Sequence, residues 1–150
     1  MDWSLRPSTA DDAAWIAEVK AQVMRPDLER LGRFDEVRVR RRFLDAFEPA
    51  FTRVVVVDGA AIGSIAVRPE PEARWIEHFY LDAAFHGRGL GGAVLRHVLD
   101  EPDPRPDGGP RPFRLDVVQG SPARRLYERH GFVLESQDPI DVIMVRPAAA

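Results

Sequence analysis

The stretch that decides the fold spans residues 76–95 and reads IEHFYLDAAFHGRGLGGAVL. Its aromatic and apolar start is typical of a strand, and its apolar end is typical of a helix. Between the two lies a glycine-rich turn, residues 87–92. Glycines let the backbone approach a ligand closely, and free N–H groups at the start of a helix bind anions. The turn therefore predicts a phosphate or pyrophosphate site between a strand and a helix.

Outward from this turn, the sequence alternates between strand and helix patterns. Residues 3–6 alternate as a strand, and Ser8 or Thr9 can cap a helix that we expect to reach about Met24, because Pro26 interrupts it. A second helix is expected over residues 35–47, followed by three strands over 53–57, 61–67 and 74–82 and a helix over 93–99. A proline-rich surface loop is expected over 101–112. The rest of the chain is expected to form a strand over 113–118, a short helix from Ser121 to Gly131, and antiparallel strands over 132–135 and 140–145. The predicted order is β-α-α-β-β-β-α-β-α-β-β, a mixed α/β fold with one large sheet.

The composition excludes several classes of protein. The 150 residues are 45% hydrophobic and 30% charged, which is the range of one ordinary globular domain. The chain has no cysteine, so disulfides, thiolate metal sites and cysteine nucleophiles are excluded, and its four histidines lack the short spacing of a metal site. A net charge of −3 and the lack of a membrane-length apolar run or signal peptide predict a cytoplasmic protein with no metal, nucleic-acid or membrane partner.

A dinucleotide site is a rival interpretation of the same turn. Gly87, Gly89 and Gly92 satisfy the G-x-G-x-x-G fingerprint. That fingerprint requires an acid at a strand end about 20 residues further on. Pro112 occupies that position, and too little chain follows for the rest of a dinucleotide domain. We therefore do not expect a dehydrogenase.

Three segments together resemble the GNAT superfamily of N-acetyltransferases. Residues 76–95 resemble its acetyl-CoA motif, usually written [QR]-x-x-G-x-[GA], with His86 at the Gln or Arg position. Residues 115–132 resemble its strand followed by N-P-A-x-x-L-Y-E-x-x-G-F, with Ser121 at the Asn position, and residues 5–12 resemble its opening strand and helix cap. Residues 24–29, MRPDLE, also resemble a subset of uncharacterised bacterial members with an M-R-P…E segment.

The resemblance implies a fold and a co-substrate. It implies one domain over residues 1–147, with a mixed, mostly antiparallel sheet flanked by about four helices, and a frayed tail over 148–150. It implies direct transfer of an acetyl group from acetyl-CoA to an amine of a small molecule or peptide. The implied residues that bind the co-substrate are Phe79, Tyr80, Leu81, His86, Gly87, Arg88, Gly89, Leu90, Gly91, Gly92, Ser121 and Tyr127.

Two residues are expected to carry the catalysis. Glu77 is the expected base, because in an alternating strand it shares a face with Trp75 and Phe79. The surrounding sequence is also similar to the I-E-D-F-F-V stretch of diamine acetyltransferases, whose Glu lies in the active site. His78, on the opposite face, and Asp116 are the weaker alternatives. The resemblance places Tyr127 as the acid that protonates the leaving thiolate.

The acceptor is less defined than the donor. In this fold the acceptor site involves the first two helices, so Arg25 and Glu29, together with Glu77, are the candidate contacts to the amine. A homodimer is compatible with the sequence. The alternative function is a catalytically silent GNAT-fold module that binds acyl-CoA as a sensor or regulator.

Overall fold

The structure is a computed structural model and describes residues 1–105 and 107–149. Its elements in chain order are β1 (Trp3–Pro7), α1 (Ala13–Arg30), α2 (Glu36–Ala46), β2 (Thr52–Val57), β3 (Ala60–Pro69), β4 (Arg74–Leu81), α3 (Leu90–Leu99), β5 (Phe113–Val118), α4 (Ala123–Arg129), β6 (Val133–Gln137) and β7 (Asp141–Arg146). The predicted order of strands and helices is confirmed. The predicted frayed tail includes Ala150, which lies outside the described residues.

The strands form one seven-stranded sheet in the order β1-β2-β3-β4-β5-β7-β6. The pairs β1–β2, β2–β3, β5–β7 and β6–β7 are antiparallel, whereas β4 and β5 are parallel. The expected mixed, mostly antiparallel sheet with four helices is therefore confirmed. The parallel ladder joins Arg74 to Phe113 and Ile76 to Leu115, and β4 continues past it to Leu81.

The chain divides into two compact units. The first comprises Met1–Val67 with Glu77–His86, and the second comprises Arg68–Ile76 with Gly87–Ala150. In the first unit, Ile16 of α1, Phe43 of α2 and Val54 of β2 are fully buried in one cluster, and Tyr80 of β4 packs against it. An amphipathic helix that buries Phe43 accounts for the position of α2.

The first helix does not stop at Pro26, as the sequence analysis expected; α1 continues to Arg30. A proline inside a helix leaves the carbonyl four residues earlier without its N–H donor. Here Pro26 and Gln22, which carries that carbonyl, are both exposed, so water can satisfy it. The helix ends instead before Gly32, whose φ of 69° is the left-handed conformation typical of a helix terminus.

The core of the second unit consists of apolar residues that repeat at helical spacing in α3 and at alternate positions in β5 and β7. Leu90, Val94 and Val98 of α3 are at most 1% exposed. They follow helical spacing, so α3 begins at Leu90 and includes the last glycines of the turn, earlier than the expected residue 93. Alternate residues of β5 and β7 complete the buried set: Phe113, Leu115, Val117, Val142 and Met144.

Candidate functional site

The turn between β4 and α3 is held at its start by short-range hydrogen bonds. The Asp82 carboxylate accepts from the backbone N–H of Ala84 at 2.9 Å and caps a 3₁₀ turn, Ala83–Phe85. The His86 N–H donates to Ala83 O at 3.1 Å. His86 Nε2 donates to Leu81 O at 2.7 Å, which requires the proton on that nitrogen, because a carbonyl only accepts. His86 is therefore tied back to the end of β4.

The glycine turn has a left-handed backbone at two of its positions. Gly87 and Gly89 adopt φ of 74° and 79°, a conformation that strains any residue with a side chain. Apart from the glycine and its two chain neighbours, no described atom lies within 4 Å of the position that a Cβ would take at Gly87 or Gly89. The Ala93 N–H donates to Gly89 O at 3.1 Å, which begins the α3 hydrogen-bond ladder. In an α-helix the N–H groups before that one, here of Leu90 and its neighbours, have no intrahelical acceptor and face outward.

β4 carries the predicted base and the predicted contacts to the pantetheine arm, all in the first unit. Strict alternation fails within this strand, because His78 has a φ of 49°. The alternation from which Glu77 and Phe79 were expected to share one face is therefore interrupted at His78, and the role of Glu77 stays a prediction. The His78 ring packs edge-on to Phe43, with centroids 5.0 Å apart, and its Nδ1 lies 3.5 Å from the Tyr80 hydroxyl. This aromatic contact is a structural role for His78.

A glycine also allows β3 to approach β4 closely. A Cβ at Gly63 would overlap the carbonyl oxygen of Tyr80. The Asp82 N–H donates to Ile62 O at 2.8 Å, which extends the contact to the end of β4. The backbone around Tyr80 and Leu81 is therefore held against β3 on one edge.

The second motif lies on and before α4, in the second unit. The Ser121 Oγ accepts from the Ala123 N–H at 3.2 Å, so this hydroxyl binds the first amide of α4. Tyr127 is 8% exposed, and its ring packs edge-on to Phe132 with centroids 5.9 Å apart. Burial raises the pKa of Tyr127 to about 12. A phenol with this pKa stays protonated at neutral pH and acts as a hydrogen-bond donor.

The two candidate acceptor residues on α1 contact each other. Arg25 Nε donates to a Glu29 carboxylate oxygen at 3.0 Å. A second Arg25 nitrogen lies 3.6 Å from Glu36, and the guanidinium lies 4.6 Å from the Phe34 ring centroid. These contacts connect the end of α1 to the start of α2. A substrate that binds Arg25 or Glu29 must compete with this local ion pair.

One carboxyl group of the second unit is perturbed more than the sequence suggested. Asp116 of β5 pairs with Ile143 of β7, and Asp141 lies two residues from Ile143 along that strand. Partial loss of water and the negative charge of Asp141 raise the pKa of Asp116 to about 7, and Asp138 adds to the effect. The sequence alone does not indicate this raised pKa, because only the pairing of β5 with β7 brings these carboxyl groups together.

The fold defines the class: a mixed α/β protein with a glycine-rich turn between a strand and a helix. The particular family follows from the sequence: the profile of the acetyltransferase (GNAT) family matches residues 16–132. The chain therefore belongs to the GNAT acetyltransferase family. Comparison with curated protein sequences gives no match.

Solved structures with the same fold span nearly the whole chain. The PaiA N-acetyltransferase from Thermoplasma acidophilum, in complex with coenzyme A, has a TM-score of 0.74 and 16% identity, and the match covers 99% of this chain and 100% of that one. An acetyltransferase from Thermus thermophilus has a TM-score of 0.72 and 19% identity, over 99% and 98%. The ribosomal-protein-S18-alanine N-acetyltransferase from Escherichia coli has a TM-score of 0.71 and 17% identity, over 97% and 94%. At these identities the likeness shows the fold.

Membrane-spanning helices and metal-binding clusters are both absent from the described part of the chain. Within residues 1–105 and 107–149, no helix is both long and apolar enough to cross a membrane. Over the same residues, no group of three or more His, Asp or Glu side chains is arranged to hold a metal ion.

Proposed function

We propose that the protein is an acetyl-CoA-dependent N-acetyltransferase that transfers the acetyl group directly to an amine of a small molecule or peptide. The observation that carries this proposal is the turn that leads into α3. Gly87 and Gly89 are in the left-handed region and have open space beside them, and the first amides of α3 follow at once. A helix start of this kind favours a pyrophosphate through its N–H groups and the helix dipole.

The co-substrate is acetyl-CoA, and we assign its contacts to three segments. The backbone of the turn, over Gly87, Arg88, Gly89, Leu90, Gly91 and Gly92, would hold the pyrophosphate. The pantetheine arm would lie along Phe79, Tyr80 and Leu81, the part of β4 beyond its ladder with β5. A strand edge beyond a ladder presents N–H and C=O groups to an extended ligand. His86, bonded to Leu81 O, would position the turn.

Acetyl-CoA, when bound, supplies the acetyl group as a reactive thioester. The acceptor reaches the site mainly as an ammonium ion, because a free alkylamine has a pKa of about 10.4. We assign Glu77 as the base that takes a proton from it, directly or through one water. As the C–N bond forms, the C–S bond breaks, and the Tyr127 hydroxyl donates to the departing sulfur. The sulfur ends as a thiol, the second proton of the ammonium passes to water, and the proton taken up by Glu77 returns through solvent to the Tyr127 oxygen, which restores both side chains.

Asp116 is the second candidate for the base. A general base works best when its pKa lies near the working pH. The raised pKa of Asp116, about 7, meets that condition. Ser121 is assigned a weaker role at the co-substrate, because its hydroxyl oxygen already accepts a bond from Ala123.

The Gly89→Val variant tests the site of the co-substrate. A branched side chain with φ near 79° strains the turn and fills the space beside it. We expect calorimetry to show loss of CoA binding with the fold intact by circular dichroism. Gly59→Val is the matched control, because Gly59 has a φ of 84° and equally open surroundings in the β2–β3 hairpin. Retained CoA affinity in Gly89→Val would remove this site.

Release of the CoA thiol tests the reaction itself. Acetyl-CoA is incubated with diamines, amino acids and peptides that begin with alanine, the last chosen because one structural neighbour is named as an alanine N-acetyltransferase of a ribosomal protein. We expect thiol release with at least one amine, together with the acetylated amine by mass spectrometry. CoA binding without release on any amine would favour the catalytically silent module.

A further inference from the structure

We propose that a cleft of about 360 Å³ in the second unit binds a phosphomonoester group. The cleft lies where the last turns of α3 and α4 meet the end of β7, and its basic lining residues are Arg96, Arg129, His130 and Arg146. Arg96 lies seven residues after Gly89. At about 1.5 Å of rise per helical residue, this is roughly 10 Å along α3 from the glycine turn. The arginines of the cleft therefore lie beyond the glycine turn.

The three arginines of this cleft have no side-chain partner among the residues that the structure describes. Among residues 1–105 and 107–149, Arg96, Arg129 and Arg146 make no hydrogen bond or ion pair with their side chains. Elsewhere in the same unit, Arg111 is bonded to Asp103 and Arg114 to Glu135. Asp100 is the single acid of the described lining, so the cleft keeps a net positive charge.

His130 adds a buried polar atom that has no partner in the described part of the chain. Its Nδ1 lies 2.8 Å from Leu126 O and must carry a proton, because the carbonyl only accepts. Its Nε2 is buried, and within the described residues it has no hydrogen-bond partner. A buried polar atom without a partner is costly and calls for an explanation. This nitrogen lies beside Gly92, since a Cβ built there would come within 3.8 Å of it, so His130 borders both the cleft and the start of α3.

The helix dipole alone does not explain this arrangement. The last turns of α3 and α4 favour a cation, which accounts for Arg96 and Arg129 taken singly. Arg146 ends a strand and has no such reason to face the cleft. Basic side chains from three separate elements, α3, α4 and β7, line one cavity, and this arrangement is typical of a binding site.

The chemistry of the lining favours a phosphomonoester. Guanidinium groups bind phosphate oxygens in pairs, and several of them suit a doubly charged group. The volume of the cleft falls at the lower end of the usual range for small ligands, about 300–1,000 Å³, so an organic group has space beside the phosphate. The 3′-phosphate of CoA and a separate phosphorylated metabolite share this chemistry.

Phosphate binding is measured by calorimetry with phenyl phosphate at constant ionic strength, on the whole chain without acetyl-CoA. We expect saturable binding that Arg146→Gln weakens at least tenfold. Arg41→Gln is the matched control, because Arg41 is an exposed arginine of α2 in the first unit. Non-saturable binding, or equal losses in Arg146→Gln and Arg41→Gln with both variants folded, would overturn the proposal. The readout needs no enzymatic activity, so it stands or fails separately from the proposed function.

CoA and dephospho-CoA identify the source of the phosphate. If the 3′-phosphate of CoA occupies the cleft, the wild type prefers CoA and Arg146→Gln loses that preference. If Arg146→Gln abolishes phenyl phosphate binding and leaves the affinities for CoA and dephospho-CoA unchanged, the occupant is a separate metabolite. Either result supports a phosphomonoester site, and intact phenyl phosphate binding in Arg146→Gln contradicts it.

Discussion

The proposed protonation of the leaving sulfur depends on the Tyr127 hydroxyl. Its pKa of about 12 exceeds that of an ordinary thiol, about 8.5, so it stays protonated while a thiolate departs. Positioned acid catalysis is typically worth about 10²–10⁴-fold in rate. We expect Tyr127→Phe to lower kcat about 100-fold, with the same loss from pH 6 to pH 9.

The thermal stability of Tyr127→Phe serves as the control, because it separates a catalytic role of the hydroxyl from a packing role of the ring. Phenylalanine keeps the edge-on contact with Phe132, so the Tm is expected to change little. CoA affinity is expected to fall by no more than about 0.5–1.5 kcal/mol, the net contribution of one hydrogen bond. Unchanged turnover together with a lower Tm would make Tyr127 a packing residue.

Lys20, the single lysine of the chain, is 8% exposed on α1. Burial lowers its pKa to about 8, and Arg42 adds to the effect. The folded protein therefore binds this proton less tightly than the unfolded chain, and folding is opposed below pH 8. We expect Lys20→Met to stabilise the protein at pH 7 by about 1–3 kcal/mol, measured by urea unfolding.

The same linkage predicts that the gain depends on pH. Above about pH 10.5 the amine is neutral in both states, so the advantage of Lys20→Met over wild type disappears. Gln22→Met, at an exposed position of the same helix, serves as the control and is expected to change stability little at either pH. A loss of stability in Lys20→Met at pH 7 would contradict this prediction.

At the scale of elements, the proline-rich loop before β5 is anchored by an ion network. The Asp103 carboxylate is 3% exposed and accepts from Arg111 at 2.8 Å, and Arg74 Nε lies 3.8 Å from it. The Arg74 guanidinium also stacks over the Phe113 ring, 4.0 Å from its centroid. The expected surface loop is therefore exposed at its tip and attached at both ends to the sheet.

Removal of the Asp103 charge tests the anchor. Hydrogen bonds from Arg111 hold the pKa of Asp103 well below its usual range, so its contribution to stability is present above about pH 4 and is lost as the pH falls below that. We expect Asp103→Asn to lower the Tm at pH 7, and the difference from wild type to shrink below pH 4. Asp107→Asn, exposed in the same loop, is the control. An equal Tm for Asp103→Asn and wild type at pH 7 would show that the network does not anchor the loop.

Helix α1 shows where local patterns misled the prediction. A proline is a strong local signal for the end of a helix. In α1 the unsatisfied carbonyl faces solvent and the packing of Ile16 and Ala17 holds the helix in place, so the chain continues past Pro26. Local pattern was also insufficient in β4, because the left-handed backbone of His78 interrupts the alternation that the residue types alone suggest.

At the scale of the whole molecule, two carboxyl groups are candidates for the general base. Glu77 lies in the first unit and Asp116 in the second. If Glu77 is the base, Glu77→Gln lowers kcat more than it raises the KM for acetyl-CoA, and the rate recovers as the pH rises and free amine accumulates. If Asp116 is the base, the rise in rate near pH 7 disappears in Asp116→Asn instead. The pH–rate profiles of both variants of the full chain decide between them.

A stability measurement accompanies that comparison. The pKa of Asp116 is raised in the folded state, so its ionisation opposes folding as the pH rises toward 7 and beyond. We expect Asp116→Asn to raise the Tm at pH 8 and to change it little at pH 4. A lower Tm at pH 8 would show that the carboxylate is stabilised by contacts in the folded protein.

Local patterns determined the order of the elements, the glycine turn and the membership of the family. The reason is that strand alternation, helical spacing and glycine in a left-handed turn are properties of a few neighbouring residues. Tertiary structure alone decided which polar groups meet. The pairing of β5 with β7 raises the pKa of Asp116, and the ends of α3, α4 and β7 gather the arginines of the cleft. Burial and charge act through space between residues distant in the chain, so only the folded chain sets these properties.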